Sequence, residues 1–127
     1  MMHLSENKYW EERELYSGLI RLHILHHAEE EGVFGLGMIE ELAHHGYKLS
    51  PGTLYPLLHS MENKGLLRSH ERVKGGKIRR IYRSTTRGRH VLSMAKEKVF
   101  ELFGVLFESE PKVKGRRRPA RKLDKRN

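Results

Sequence analysis

The chain of 127 residues has no cysteine, only one tryptophan and only four prolines. Without cysteine it can form neither disulfide bonds nor thiolate metal sites. It also lacks a signal-peptide pattern and any apolar run long enough to cross a membrane, which predicts a cytoplasmic protein. Nucleophile-elbow, phosphate-loop and HExxH motifs are missing as well, so we expect no enzymatic activity.

Positive charge, in contrast, is abundant and concentrated in two places. The formal net charge is +9, yet residues 68–90 hold nine basic side chains against one acidic, and residues 111–127 repeat that ratio. The remaining residues are net acidic. Such concentration predicts a binding face for a polyanion. We expect residues 1–110 to form the folded domain and residues 111–127 a basic, disordered tail that reaches DNA phosphates or a minor groove.

A short amphipathic helix is predicted from Ser50 to Lys64. Ser50 is a suitable N-cap, Pro51 fits the first helical position, and Gly65 suits the left-handed stop. The apolar side chains recur at the spacing of one helix face: Leu54, Leu57, Leu58 and Met61. The polar side of this helix is left for solvent or for a partner.

The neighbouring segments place this helix in a known supersecondary arrangement. A second short helix is predicted from Phe34 to Gly46, separated from Ser50 by only three residues, which is typical of a helix-turn-helix. Two strands, 66–73 and 77–85, flank a Gly-Gly turn and predict a basic hairpin. The expected fold is mainly α with a small β-hairpin: a winged helix-turn-helix with long N- and C-terminal helices.

The segment GTLYPLLHSMENKGLL, followed by GGKIRRIYRSTTRG, resembles the PadR family of bacterial transcriptional regulators, and the resemblance extends from about Leu15 to Phe107. Two positions depart from the family pattern, Ile81 in place of a tyrosine and Ser84 in place of a leucine. The short C-terminal region resembles the smaller subgroup, which dimerises through one terminal helix. The resemblance implies a sequence-specific, dimeric repressor that binds a palindromic operator in double-stranded DNA, at the bacterial nucleoid.

Seven side chains are the candidates for DNA contact: Ser50, Thr53, Tyr55, His59, Lys77, Arg79 and Arg80. Ser50 and Thr53 suit phosphates at a helix N-terminus. Tyr55 and His59 are better placed for base edges in the major groove. The three basic residues of the hairpin would reach phosphates or the flanking minor groove.

The last helix, predicted from Arg87 to Glu108, has two apolar stripes where a surface helix of a monomer needs one. A homodimer is therefore expected, with a first helix (about Tyr9 to Glu31) taking part. The candidate dimerisation residues are Val91, Ala95, Val99, Leu102, Phe103 and Leu106. The family resemblance also implies a small aromatic effector in the dimer space, for which Trp10, Phe100 and Phe103 are candidate lining residues. The alternative for these rings is simple core packing.

Two other functions remain open. The nine histidines include a group at residues 23, 26 and 27 and a pair at 44 and 45, which would fit a metal-responsive regulator. No diagnostic carboxylate spacing accompanies them, so no metal site and no cofactor are predicted. The basic tail would also suit an RNA- or ribosome-associated protein, although the aromatic platform of single-strand RNA modules is missing.

Overall fold

The computed structural model describes the backbone of residues 2–108 and the side chains of residues 14–108. Its elements in chain order are α1 (Met2–Glu30), α2 (Gly35–His44), α3 (Pro51–Asn63), β1 (Leu67–Lys74), β2 (Lys77–Ser84) and α4 (Thr86–Glu108). This order confirms the predicted mainly helical fold with one hairpin. The predicted basic tail and the side chain of Trp10 lie outside the part that is described. Within residues 2–108, no helix is long and apolar enough to span a bilayer.

The chain divides into two compact units, and the division falls inside α4, between Leu92 and Ser93. The first unit contains α1, α2, α3, the hairpin and the first turns of α4. The second unit contains the remainder of α4.

The core of the first unit is built from every one of its elements. Its largest fully buried side chains are Ile24, Leu25, Met38, Leu42, Leu54, Leu58, Met61, Leu67 and Tyr82. Three of the four predicted apolar positions of α3 are therefore in the core, and Leu57 packs against it half-buried. On α1, only the C-terminal part of the apolar pattern is covered, because Ile20 and Ala28 are buried while Leu15, Tyr16 and Leu19 are exposed.

The turn between α2 and α3 is fixed by one glycine. Gly46 has φ +92°, a left-handed conformation that L side chains rarely adopt, and the Tyr47 amide donates to the Leu42 carbonyl at 2.9 Å. Ser50 then precedes α3 in an extended conformation, as an N-cap should. An N-cap serine is expected to accept a bond from a first-turn amide through its hydroxyl, but Ser50 makes no such bond. The Thr53 amide donates to the Ser50 carbonyl instead, at 3.0 Å, and the Ser50 hydroxyl donates to the Thr53 hydroxyl at 3.4 Å.

The hairpin pairs β1 and β2 antiparallel, from Leu67 opposite Ser84 to Lys74 opposite Lys77. Gly75 and Gly76 form the two-residue turn with φ +59° and +77°. Positive φ at both positions is what a type I′ turn requires, so the predicted Gly-Gly turn is confirmed.

The base of the hairpin is held by an isolated bridge that the sequence pattern did not predict. Val33, in the linker between α1 and α2, pairs with Tyr82 through two backbone hydrogen bonds of 2.9 and 2.7 Å. This single bridge ties the linker to β2 and helps to fix the hairpin to the helix-turn-helix.

Candidate nucleic-acid interface

The outer side of α3 carries a short polar strip. Ser50 and His59 are exposed and Thr53 is half-buried, with Pro56 exposed between them. Positions 53, 56 and 59 follow one another at the three-residue spacing that keeps side chains on one side of a helix. Three of the four predicted contact residues around α3 therefore lie toward solvent.

Tyr55 differs from the other three because it also has contacts toward the interior of the first unit, and its contact with DNA stays a prediction. Its ring is half-buried and packs against the core, and its hydroxyl occupies the space that any side chain at Gly35 would need. Gly35 is the first residue of α2, so Tyr55 links α3 to the start of α2. The physical reason is close packing: only a glycine on α2 leaves room for the phenol ring.

The hairpin presents one strongly basic face. Residues directly opposite across the two strands share a face, and residues alternate along each strand. The register therefore places six cationic side chains on one side, here called the basic face: Arg68, Arg72, Lys74, Lys77, Arg79 and Arg83. These side chains form three directly opposed cation pairs, Arg68–Arg83, Arg72–Arg79 and Lys74–Lys77. Like charges in direct opposition destabilise a hairpin, so this arrangement costs folding free energy.

Arg79 is supported on this face by an aromatic ring. Its guanidinium carbon lies 4.6 Å from the centroid of Phe34, the residue before α2. A cation above a ring face is attracted by the ring quadrupole while it keeps its charge. Arg79 is thereby held near the start of α2, whereas Lys77 is exposed close to the hairpin tip.

Arg80 leaves the opposite face and has partners within the chain. Its guanidinium donates to the Glu71 carboxylate at 3.1 Å and to the Ser69 hydroxyl at 3.0 Å. Ser69 in turn donates its amide and its hydroxyl to Glu62 of α3, at 3.1 and 2.8 Å. Arg80 therefore belongs to a chain of hydrogen bonds that joins α3 to both strands, a role that sequence reasoning did not predict.

Beside this network lies the buried ring of Tyr82. Burial first, and then the nearby carboxylate of Glu62, raise the pKa of Tyr82 above its ordinary value. The phenol is therefore neutral throughout the physiological range, and Tyr82 serves as packing beneath the hairpin.

The hairpin tip also has an apolar pair that sequence reasoning missed. Val73 and Ile78 stand directly opposite each other and are 70% and 67% exposed. The two-residue period of the strands would have placed them together on the face that turns toward the core at Leu67 and Tyr82. Near the tip that face has no core beneath it, so the two side chains remain in solvent.

In the second unit, whose described part is residues 93–108, α4 exposes several large apolar side chains. Val99, Leu102, Val105 and Leu106 are between 45% and 56% exposed, and the rings of Phe103 and Phe107 lie with centroids 4.6 Å apart. Large apolar side chains exposed along successive turns of one helix are typical of a contact surface.

Not every predicted dimerisation or effector residue has the same surroundings. Val91 is half-buried against the core of the first unit, and its part in a dimer contact stays a prediction. Ala95 and Phe103 are half-buried, and Phe100 is exposed. The depression beside Phe100, Phe103 and Phe107 is lined by residues of α4 alone. Within the described residues it is a surface groove rather than an enclosed effector pocket.

Two helices joined by a glycine turn, followed by a basic hairpin, define a winged helix-turn-helix protein. The profile of the transcriptional regulator PadR-like family matches residues 24–94. The chain belongs to the PadR-like family of transcriptional regulators. It is thus a regulator of transcription and not an enzyme, as the sequence predicted.

Individual relatives agree with this assignment. The chain is 49% identical over 90 residues to the transcriptional regulator Rv3488 of Mycobacterium tuberculosis, which covers 71% of this chain and 84% of that protein. A crystal structure of a PadR family regulator from Eggerthella lenta is 30% identical with a TM-score of 0.69, and the match covers 88% of this chain and all of that one (100%). A PadR-like regulator from Bacillus cereus, 24% identical, shares the fold with a TM-score of 0.72 over 79% of this chain and 99% of its own.

Proposed function

We propose that this protein is a homodimeric repressor that binds a palindromic operator in double-stranded DNA. In this proposal α3 enters the major groove, and the hairpin lies along the phosphates and the flanking minor groove. The single observation that carries the proposal is the set of three opposed cation pairs on the basic face. A polyanion would relieve the repulsion that these pairs impose on the folded hairpin.

Individual roles follow from the geometry of the site. Ser50 and Thr53 lie at the N-terminus of α3, where the helix dipole and a hydroxyl suit a phosphate. His59, exposed nearly two turns beyond Thr53, is the side chain assigned to a base edge. Tyr55 is assigned to positioning of α3 and not to readout, because its ring packs toward α2.

The hairpin side chains divide between contact and support. Lys77 and Arg79 contact phosphates from the basic face, whereas Arg80 chiefly holds the hairpin to α3 through Ser69 and Glu71. The exposed pair at the tip, Val73 and Ile78, suits the sugar walls of a minor groove, where apolar side chains of other proteins are inserted.

The dimer is supported by apolar surface in both units. The second unit exposes Leu102 and Leu106, and α1 exposes Leu15, Tyr16 and Leu19. A second copy of the chain would cover these faces by the symmetric contact that is commonest among oligomers. Two recognition helices related by a two-fold axis would then read two half-sites about one helical turn apart, roughly 34–36 Å.

Three further parts of the proposal rest on the family resemblance or, for the basic tail, on its composition. A small aromatic effector would bind between subunits near Phe100 and Phe103, and residues 111–127 would add affinity for phosphates. Repression would follow from occupancy of a promoter. Since such a regulator acts on the chromosome, we place it in the cytoplasm, at the nucleoid.

Selection of bound sequences from a random duplex pool tests the proposal. We expect enrichment of an inverted repeat, and protection of that repeat in footprinting despite an excess of folded RNA competitor. Failure to enrich any duplex, or displacement by the RNA, would instead favour the RNA-associated alternative.

A further inference from the structure

Three histidines from two separate segments of the chain come together on the first unit. His23 and His27 lie one turn apart on α1, and His45 directly follows α2. One ring nitrogen of each lies within 4.8 Å of the others. The rings of His23 and His45 are stacked, with centroids 4.6 Å apart. His26 and His44, the other members of the two histidine groups in the sequence, are not part of this cluster.

A carboxylate completes the group. Oε2 of Glu41, on α2, lies 3.5 Å from Nε2 of His27 and 3.3 Å from Nε2 of His45. Four ligands around tetrahedral zinc, with bonds of 2.0–2.1 Å, have their donor atoms roughly 3.3 Å apart. The Glu41–His27 and Glu41–His45 distances are therefore already close to the spacing of two ligands on one ion. The nitrogens of His23, His27 and His45, within 4.8 Å of one another, would have to draw closer around the ion.

The surroundings of His23 favour the uncharged imidazole that a metal binds. Burial first, and then the neighbouring His45 and His27, lower the pKa of His23. A divalent cation bound by three imidazole nitrogens and one carboxylate would leave a net charge of +1 at the site.

We propose that His23, His27, His45 and Glu41 form a binding site for a divalent transition metal of the zinc class. Imidazole nitrogen with one carboxylate oxygen suits Zn²⁺ and its first-row neighbours and does not suit Mg²⁺ or Ca²⁺, which prefer oxygen ligands. The exposed edge of His45 provides the route of entry, since its side chain is 45% accessible.

The position of the site gives it a regulatory consequence, which rests on the proposed DNA-binding function. A metal held there would join α1 to the end of α2, one residue before the Gly46 turn that leads into α3. Because α3 carries the proposed readout residues, an ion that holds the end of α2 against α1 would favour one placement of α3. Metal binding and DNA binding would thereby be coupled. Coupling of this kind changes affinity by about fivefold or more and is reciprocal between the two ligands.

Titration of the metal-stripped full-length chain with Zn²⁺, by calorimetry and by competition with a chromophoric chelator, tests the site without DNA. We expect one ion per chain, and with Co²⁺ the visible absorption of a tetrahedral complex. His45→Ala and Glu41→Gln should each weaken binding by more than about tenfold. His44→Ala, an exposed neighbour outside the cluster, is the matched control and should bind like the parent.

The side chains of His45 and Glu41 are 45% and 40% exposed, so the variants should fold, and metal-free thermal unfolding checks that they do. No bound zinc, or equal losses for His44→Ala and His45→Ala, would overturn the site and reveal only scattered histidine binding.

A second arm measures affinity for the duplex selected from the random pool, with Zn²⁺ and with chelator. We expect a change of at least about fivefold for the parent and none for His45→Ala. An unchanged parent affinity would overturn the regulatory consequence. Failure to select any duplex would count against the proposed function, while the zinc titration would still decide the site.

Discussion

At the scale of single residues, α3 separates side chains that face solvent from side chains that orient the helix. Tyr55 and His59 are four residues apart on α3. The sequence pattern placed both on the outer side of the helix and predicted that both contact base edges. The structure gives His59 an exposed position and places the Tyr55 hydroxyl against Gly35. Substitutions at the two positions should therefore have different consequences.

His59→Ala should reduce discrimination between the operator and random DNA without loss of stability. A lost base contact costs about 1–3 kcal/mol of specificity. Competitive binding to both duplexes measures the difference, with Asn63→Ala, exposed at the end of α3, as the control. Equal weakening on both duplexes would show that His59 contacts phosphate instead of a base.

Gly35→Ala should destabilise the protein, because the new methyl group overlaps the Tyr55 ring. Overpacking of a filled interior costs about 1–3 kcal/mol. In a Tyr55→Ala background the same change should cost much less, since the obstruction is gone. Urea unfolding of the four proteins of this cycle measures the coupling. Additive effects would contradict the contact between Tyr55 and Gly35.

At the scale of elements, the hairpin is asymmetric. One face holds cations in direct opposition, and the other is occupied by the hydrogen bonds from Glu62 through Ser69 to Arg80. Exposed ion pairs such as Arg80–Glu71 contribute little to stability. The chain of bonds instead determines where the hairpin stands relative to α3. Neighbouring arginines in the sequence thus have different tasks.

Lys77→Ala and Arg79→Ala should each flatten the salt dependence of operator binding. Each neutralised phosphate contributes about 0.9 to the slope of log affinity against log salt. Thermal stability should change little, because removing one of two opposed cations relieves repulsion. Lys96→Ala, exposed on α4, is the control. Slopes identical to that of the parent would remove the basic face from the DNA contact.

At the scale of the whole molecule, the two units have different needs. The first unit closes its own core around Leu54, Leu58 and Tyr82. The described part of the second unit, residues 93–108, is one stretch of helix that leaves Leu102 and Leu106 half exposed. Isolated helices have little stability of their own in water, so this part depends on burial against another surface.

Replacing Leu102 and Leu106 together with Glu should produce a monomer or an unfolded chain. The reason is that charged side chains at a buried apolar contact are costly to desolvate. Sedimentation of the parent and the variant measures the mass, and Glu101→Gln on the same helix is the control. A parent protein that sediments as a stable monomer would rule out the proposed dimer.

The sequence by itself determined the elements and their order. Periodic apolar residues at Leu54, Leu58 and Met61, the Gly75–Gly76 turn and the position of Ser50 are local features. Short-range geometry decides them, because helix spacing, strand alternation and turn conformation depend on neighbouring residues only. The PadR-like resemblance drew on the same local segments, which is why fold and family could be predicted together.

Only the tertiary structure decided which side chains are free and which are engaged. The packing of Tyr55 on Gly35, the Val33–Tyr82 bridge and the approach of His45 to His23 join residues 20 or more positions apart. No local pattern encodes such pairs, since they depend on how elements meet around a filled core. For that reason the sequence treated Tyr55 and Arg80 as free contact residues, and it did not predict that the histidines of two helices would gather around Glu41.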